Sequence, residues 1–98
     1  MGAHTFFTRS SGRDAKSAFQ NAVKDAQYHH GRAGYTGTIA EKTSFTEIPV
    51  EEVGDTDPDE YASQLIREQD PRIDSKWGPA GCIPLGDDTY LFFGWASA

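Results

Sequence analysis

Residues 81–95, GCIPLGDDTYLFFGW, decide the fold. Two β-forming runs flank the Gly-Asp-Asp segment 86–88, and a three-residue turn of this composition is typical of a β-hairpin. The second run, residues 89–95, is apolar on both faces of its pleat, which predicts a central strand. Pro84 cannot donate to a strand ladder, so its strand should lie near an edge of the sheet or carry a bulge.

A first helix is predicted upstream of this hairpin, after a short strand at residues 4–9. Ser11 can cap the helix, and Asp14 places negative charge in its first turn. The helix should end at Gly31, because glycine accepts the left-handed conformation of a helix C-cap. Its buried face is the stripe Ala15, Ala18, Phe19, Ala22, Val23 and Ala26.

A second helix is predicted to begin at the Asp-Pro-Asp-Glu segment 57–60, since Asp caps a helix and Pro suits its first position. It should end before Pro71 and bury Tyr61, Ala62, Leu65 and Ile66. Between the helices, residues 36–42 form a strand or an extended loop. Residues 45–50 form a strand that Pro49 keeps at an edge, and residues 51–56 form an acidic turn.

The order of elements predicts a single small α+β domain spanning residues 1–98. We expect a two-layer sandwich in which an antiparallel-dominated sheet of four or five strands carries both helices on one face. Ninety-eight residues provide a core for one such domain and not for a second.

The charge pattern narrows the classes of function. The net charge is -6, yet residues 1–45 carry six Lys/Arg and three Asp/Glu, whereas residues 46–75 carry two and ten. This uneven distribution of charge argues against duplex-DNA binding, but it is compatible with an anion site in the N-terminal half. The single cysteine, Cys82, in an apolar strand, indicates a small core residue. Without a signal-peptide pattern or a long apolar run, we expect a cytoplasmic protein that does not enter a membrane.

Residues 29–42, HHGRAGYTGTIAEK, form the candidate site. The stretch follows a helix instead of opening one and lacks Lys-Ser/Thr, so it is neither a P-loop nor a dinucleotide fingerprint. Its G-x-x-G leads into extended chain, unlike the loop of a KH domain. What the pattern favours is a glycine-rich turn that approaches a planar or anionic ligand; a purely structural corner is the alternative.

Side chains on this stretch and on one further loop supply the candidate contacts. Trp77 belongs to them because its Gly-Pro loop can hold an aromatic ring rigidly for stacking, with core packing as the alternative. His29 and His30 diverge on a helix and do not form a metal pair, so no metal, cofactor or catalytic residue is predicted. The candidate ligand-binding residues are Arg32, Tyr35, Thr36, Thr38, Glu41, Lys42 and Trp77.

Three segments, GYTGTIAEK at 34–42, KWGPAG at 76–81 and FFGWA at 92–96, are similar to segments of small uncharacterised proteins encoded by bacteriophages and prophages. The resemblance spans most of the chain, from the first helix to the last strand. It implies a phage-type accessory protein of the host bacterial cytoplasm that acts by binding, and it assigns no catalytic residue.

Three functions follow in order of preference. The first is a non-catalytic binding protein that sequesters a small anionic or nucleotide-like ligand at the glycine-rich loop, where a symmetric homodimer would add concavity. The second is an inhibitor that blocks a host or defence protein through the acidic segment 47–60. The third is a small hydrolase or transferase that uses Glu41 with His29 or His30.

Overall fold

Four strands, three α-helices and one 3₁₀ helix make up the fold, in a computed structural model that describes residues 2–30 and 36–97. This composition confirms the α+β class. In chain order the elements are β1 (Ala3–Ser11), α1 (Ala15–His30), a 3₁₀ helix (Ile39–Glu41), β2 (Phe45–Glu47), α2 (Val50–Val53), α3 (Pro58–Arg67), β3 (Ala80–Gly86) and β4 (Thr89–Ser97).

The sheet has the strand order β1-β4-β3-β2. Strand β4 is antiparallel to both β1 and β3, while β2 is parallel to β3. The apolar strand β4 therefore lies inside the sheet, as its two apolar faces predicted. Strand β2 is an edge strand of three residues, which agrees with the position expected from Pro49.

The hairpin that joins β3 and β4 is tighter than expected. Its loop contains two residues, Asp87 and Asp88, with φ angles of 53° and 61°. Positive φ at both central positions is the geometry of a type I′ turn, whose twist matches that of the strands. The register of β3 shifts between Pro84 and Gly86, so the proline does sit at a bulge.

The placement of the helices corrects the expectation that both cover one face. One core cluster joins α1 to the sheet through Phe6, Cys82 and Phe92, whereas α3 packs against Ile83 and Phe93 in a second cluster. Because alternate residues of a strand point to opposite faces, the two helices cover opposite sides of the sheet. Because β4 is apolar on both of its faces, each face has to be covered by other parts of the chain.

Chain direction gives the physical reason for this arrangement. Strands β1, β2 and β3 run parallel to one another, since β1 and β3 are each antiparallel to β4. The connection through α1 travels from β1 to the far edge, and the connection through α3 travels back toward β1. Crossover connections between parallel strands are almost always right-handed. Two crossovers that run in opposite directions across the sheet can both be right-handed only when they lie on opposite faces of it.

The helix starts follow local rules. Asp57 accepts a hydrogen bond from the Glu60 N–H at 3.2 Å and caps α3, as predicted. Helix α1 is capped by Asp14, whose carboxylate accepts from the Ser17 N–H at 2.8 Å. Ser11, the expected cap, instead ends β1.

Two connecting segments differ from their predictions. Residues 39–41 form a 3₁₀ turn where a strand or extended loop was expected. Val50–Val53 form one helical turn that takes in the last residue of the predicted strand 45–50 and the first three residues of the predicted acidic turn. Across the residues described, no helix has the length and apolar character needed to cross a bilayer.

Candidate functional site

Glu41 is the centre of a hydrogen-bonded network at one end of the sheet. Its Oε2 accepts from the Thr36 N–H at 3.0 Å and from the Thr36 hydroxyl at 2.8 Å. Its Oε1 accepts from the hydroxyl of Ser97, the last residue of β4, at 3.3 Å. Glu41 therefore fastens the segment before the 3₁₀ helix to the end of the central strand.

Thr38 completes this network. Its Oγ1 lies 2.8 Å from the Thr36 hydroxyl and accepts from the Ala40 N–H at 3.2 Å, which caps the 3₁₀ helix. The Gly37 N–H donates to the Ser97 carbonyl at 2.7 Å. The candidate side chains at 36, 38 and 41 do lie together, and they contact one another.

Lys42 turns away from this network and enters the protein. Only 3% of the residue is exposed, and its Nζ donates to the carbonyls of Ser75, Lys76 and Gly78 at 3.3, 3.2 and 2.8 Å. Burial disfavours the charged form and lowers the pKa of the Lys42 ammonium from 10.5 to about 8. The side chain therefore anchors the loop at residues 75–78.

That loop presents Trp77 to solvent, with 67% of the residue exposed. The backbone N–H of Trp77 donates to the Ser75 hydroxyl at 3.1 Å, and Lys76 Nζ lies 5.4 Å from the centre of the indole ring. Lys42 and Ser75 hold the backbone on either side of Trp77, and stacking of its ring on a ligand stays a prediction. Core packing of Trp77 is excluded by its exposure.

The predicted set is thus divided between two places. Thr36, Thr38 and Glu41 form the network at the end of the sheet, and Lys42 reaches the Trp77 loop. Arg32 and Tyr35 lie outside the described residues, as do the glycines at 31 and 34. The side chain of His30 is likewise outside the description.

Of the remaining reactive side chains, His29 lines a cavity of about 380 Å³ together with Gly37 and Thr38 of this region, whereas Cys82 lies in the core. His29, near the end of α1, has its Nε2 3.9 Å from Asp25. Cys82 is fully buried, and desolvation raises the pKa of its thiol to about 12, which suits the predicted core role. Within residues 2–30 and 36–97, no group of three or more His, Cys, Asp or Glu side chains could hold a metal ion.

A groove between α1 and residues 42–45 was not anticipated from the sequence. It consists of two adjoining cavities of about 340 and 500 Å³ that share Phe19, Gln20 and Thr43. The Phe19 and Phe45 rings lie 5.2 Å apart at its floor, and both contact the buried Phe92 ring. The lining side chains are Lys16, Phe19, Gln20, Val23, Lys24, Lys42, Thr43, Ser44 and Phe45.

Positively charged side chains line one wall of the groove. Lys16 and Lys24 stand on the α1 side, and no carboxylate is among the described residues that line it. The sequence does contain a signal for this wall, because Lys16, Gln20 and Lys24 repeat every four residues and so form one row on a helix. The opposite wall comes from a segment that meets α1 only in the folded chain. We call this feature the lysine groove.

The acidic segment is partly neutralised by arginines. Arg9 of β1 makes a bidentate contact with Asp59 at 3.2 and 2.6 Å. Arg72 binds Glu52 at 2.9 and 2.7 Å and also contacts Asp70. These hydrogen bonds lower the pKa of both carboxyls that face Arg72.

With the geometry defined, the chain was compared with known proteins. No protein-family model, curated protein or solved structure matches it.

Proposed function

We propose that this protein is a small non-catalytic binding protein whose ligand is a compact anion with a planar group, such as a nucleotide. The observation that carries the proposal is the lysine groove, where Lys16 and Lys24 stand beside the aromatic floor of Phe19 and Phe45. Ammonium groups attract phosphate as point charges, and an aromatic floor suits a planar group.

The position of the groove is consistent with the charge pattern of the chain. Residues 1–45, which contribute the whole lining, have a balance of +3 inside a protein of net charge -6. A locally positive surface on an acidic molecule steers anions to one place. Arg32 and Tyr35, which follow α1, remain predicted additional contacts.

Catalysis by Glu41 receives less support. Both of its carboxylate oxygens accept hydrogen bonds, from Thr36 and from Ser97. These contacts account for the presence of Glu41 by a structural role. The phage-type context indicated by sequence resemblance would make the ligand a host metabolite or signalling nucleotide that the protein sequesters.

Titration calorimetry tests the proposal, with a nucleoside monophosphate, a nucleoside triphosphate, a cyclic dinucleotide and inorganic phosphate as probes. The Lys16→Gln, Lys24→Gln double variant should weaken nucleotide binding by about tenfold or more, equivalent to about 1.4 kcal/mol. Arg67→Gln is the matched control, because Arg67 belongs to α3 on the other face of the sheet. Binding that is equal in the double variant and the control, or no binding of any probe, would refute a ligand site in the groove.

A second candidate function is the blocking of a basic protein surface by the acidic segment. It is favoured by Val50, which is 51% exposed and lies in a stretch of chain that also contains the exposed residues Glu47, Glu51 and Asp55. An apolar contact surrounded by acidic groups suits a cationic partner. Such a complex should weaken steeply with salt and be lost in Val50→Lys, and a salt-independent complex would count against this surface.

A further inference from the structure

Among residues 2–30 and 36–97, β1 is an edge strand without the usual protection against pairing. It is nine residues long, and its register with β4 runs without a shift from Ala3↔Ser97 to Ser11↔Thr89. Natural edges are commonly short, bulged, or interrupted by Pro or Lys. The opposite edge, β2, follows that rule because it has three residues and Pro49 lies two positions after it. Strand β1 contains neither Pro nor Lys.

The direction of the β1 backbone groups can be worked out from contacts at its end. The Gly12 N–H donates to the Asp88 carbonyl at 3.0 Å, so even-numbered residues direct their backbone groups toward β4. The odd-numbered residues Ala3, Thr5, Phe7 and Arg9 consequently direct theirs outward. Ser11 confirms the alternation, since its carbonyl faces away from β4 and accepts from Asn21 Nδ2 at 2.9 Å.

An antiparallel copy of the same strand satisfies this pattern. If a two-fold axis passes beside Phe7, each Phe7 lies opposite its counterpart and each Thr5 lies opposite Arg9 of the other copy. All of these residues are outward-facing, so hydrogen bonds form between them in both directions. The two Arg9 positions are then about 13 Å apart along the strands, which avoids repulsion between like charges.

The side chain at the centre of this register also suits burial. Phe7 is 44% exposed although it lies in the middle of a strand. Pairing across the axis would cover part of each ring, and aromatic pairs across strands stabilise a sheet. Arg9 is held by Asp59 of its own chain, so its charge is already compensated.

We propose that the outer edge of β1 pairs antiparallel with β1 of a second copy, centred on Phe7, to form a homodimer with a continuous sheet of eight strands, four from each copy. The partner is thus another molecule of this protein. The interface lies at the edge opposite β2 and the lysine groove, and it does not depend on the proposed ligand.

Sedimentation velocity up to about 500 µM protein tests the dimer at weak as well as tight affinity. The wild type should approach twice the chain mass of 10.8 kDa. Thr5→Pro removes an outward N–H and leaves the hydrogen bonds to β4 intact, so it should raise the dimer Kd at least tenfold. Phe7→Lys should do the same through charge repulsion at the axis. Val50→Lys replaces another exposed apolar residue and should leave the Kd unchanged.

Cross-linking makes the test independent of whether these variants fold normally. Cα atoms of a hydrogen-bonded antiparallel pair lie about 5.5 Å apart, within the range of a disulfide. Phe7→Cys should therefore form a covalent dimer on mild oxidation, whereas Val50→Cys should not; the buried Cys82 does not compete. A wild type that stays monomeric over the whole range, a dimer unaffected by both β1 variants, or equal cross-linking of the two cysteine variants would overturn the proposal.

Discussion

Replacing Lys42 with methionine should remove a pH dependence from the stability of the fold. Methionine keeps a long apolar side chain in the buried site and removes the ammonium. The substitution also removes the three hydrogen bonds to the carbonyls of residues 75, 76 and 78. Ser75 is exposed and Lys76 and Gly78 are partly exposed, so we expect water to replace the ammonium as the partner of these carbonyls and the variant to fold.

The magnitude follows from the pKa of Lys42, which burial lowers from 10.5 to about 8. Below pH 8 the folded protein holds the ammonium in a site that disfavours charge. As the pH rises above 8, the folded state releases this proton while the unfolded chain retains it, so stability increases until the pH passes 10.5. The full effect is about 3 kcal/mol, of which about 2 kcal/mol falls between pH 7 and pH 9.5.

Urea unfolding followed by far-UV circular dichroism at pH 7 and pH 9.5 measures the effect. The free energy of unfolding of the wild type, minus that of Lys42→Met, should be larger by about 2 kcal/mol at the higher pH. Subtracting the free energy of the variant from that of the wild type removes the contributions of the groups that titrate in both proteins. Lys24→Met, on the exposed side of α1, is the matched control, because it makes the same replacement outside the buried site. A gap between wild type and Lys42→Met that is the same at both pH values would refute the assignment.

Three further predictions concern the core and the acidic cluster. Arg72→Met should reduce the loss of stability on acidification. Hydrogen bonds from Arg72 hold the pKa of Glu52 below its ordinary value, and the stabilisation that they give disappears as the pH falls through the folded-state pKa. Urea midpoints of the wild type and the variant at pH 7 and pH 3 measure this loss. Gly81→Ala should cost about 1–3 kcal/mol, because a β-carbon there would lie 2.4 Å from the ring of the buried Phe93. Thermal unfolding checks that value, and an unchanged melting temperature would contradict the contact. Cys82, buried with its pKa raised to about 12, should not react with a thiol reagent at pH 8 until urea unfolds the chain.

Elements defined by local patterns could be predicted from the sequence. The Gly-Asp-Asp segment between two apolar runs located the hairpin, and Asp57 with Pro58 located the start of α3. Both depend on contacts within a few residues, such as the bond from the Glu60 N–H to Asp57. The interior position of β4 also followed from its composition, because a strand apolar on both faces must be covered on both.

Features that depend on distant partners could not be predicted. Glu41 fixes residues 36–41 as a turn because it binds Ser97, which is 56 positions away in the sequence. The carbonyls that hold Lys42 are 33 to 36 positions away. The faces of α1 and α3 depend on strand order, which no local pattern records. The row formed by Lys16, Gln20 and Lys24 was visible, but the wall opposite it was not.

The two proposed surfaces should act independently, because α1 separates them. The row of Lys16, Gln20 and Lys24 faces the β2 side of the sheet, whereas Asn21 approaches the end of β1. A dimer formed through β1 would therefore leave both lysine grooves at its outer ends, open to ligand. Coupling between sites requires that one ligand favour a conformation that the other also favours, and neither surface includes a residue of the other. Nucleotide affinity should consequently be the same in Phe7→Lys as in the wild type, and a dependence of that affinity on dimerisation would show that the groove and the β1 edge are linked through α1.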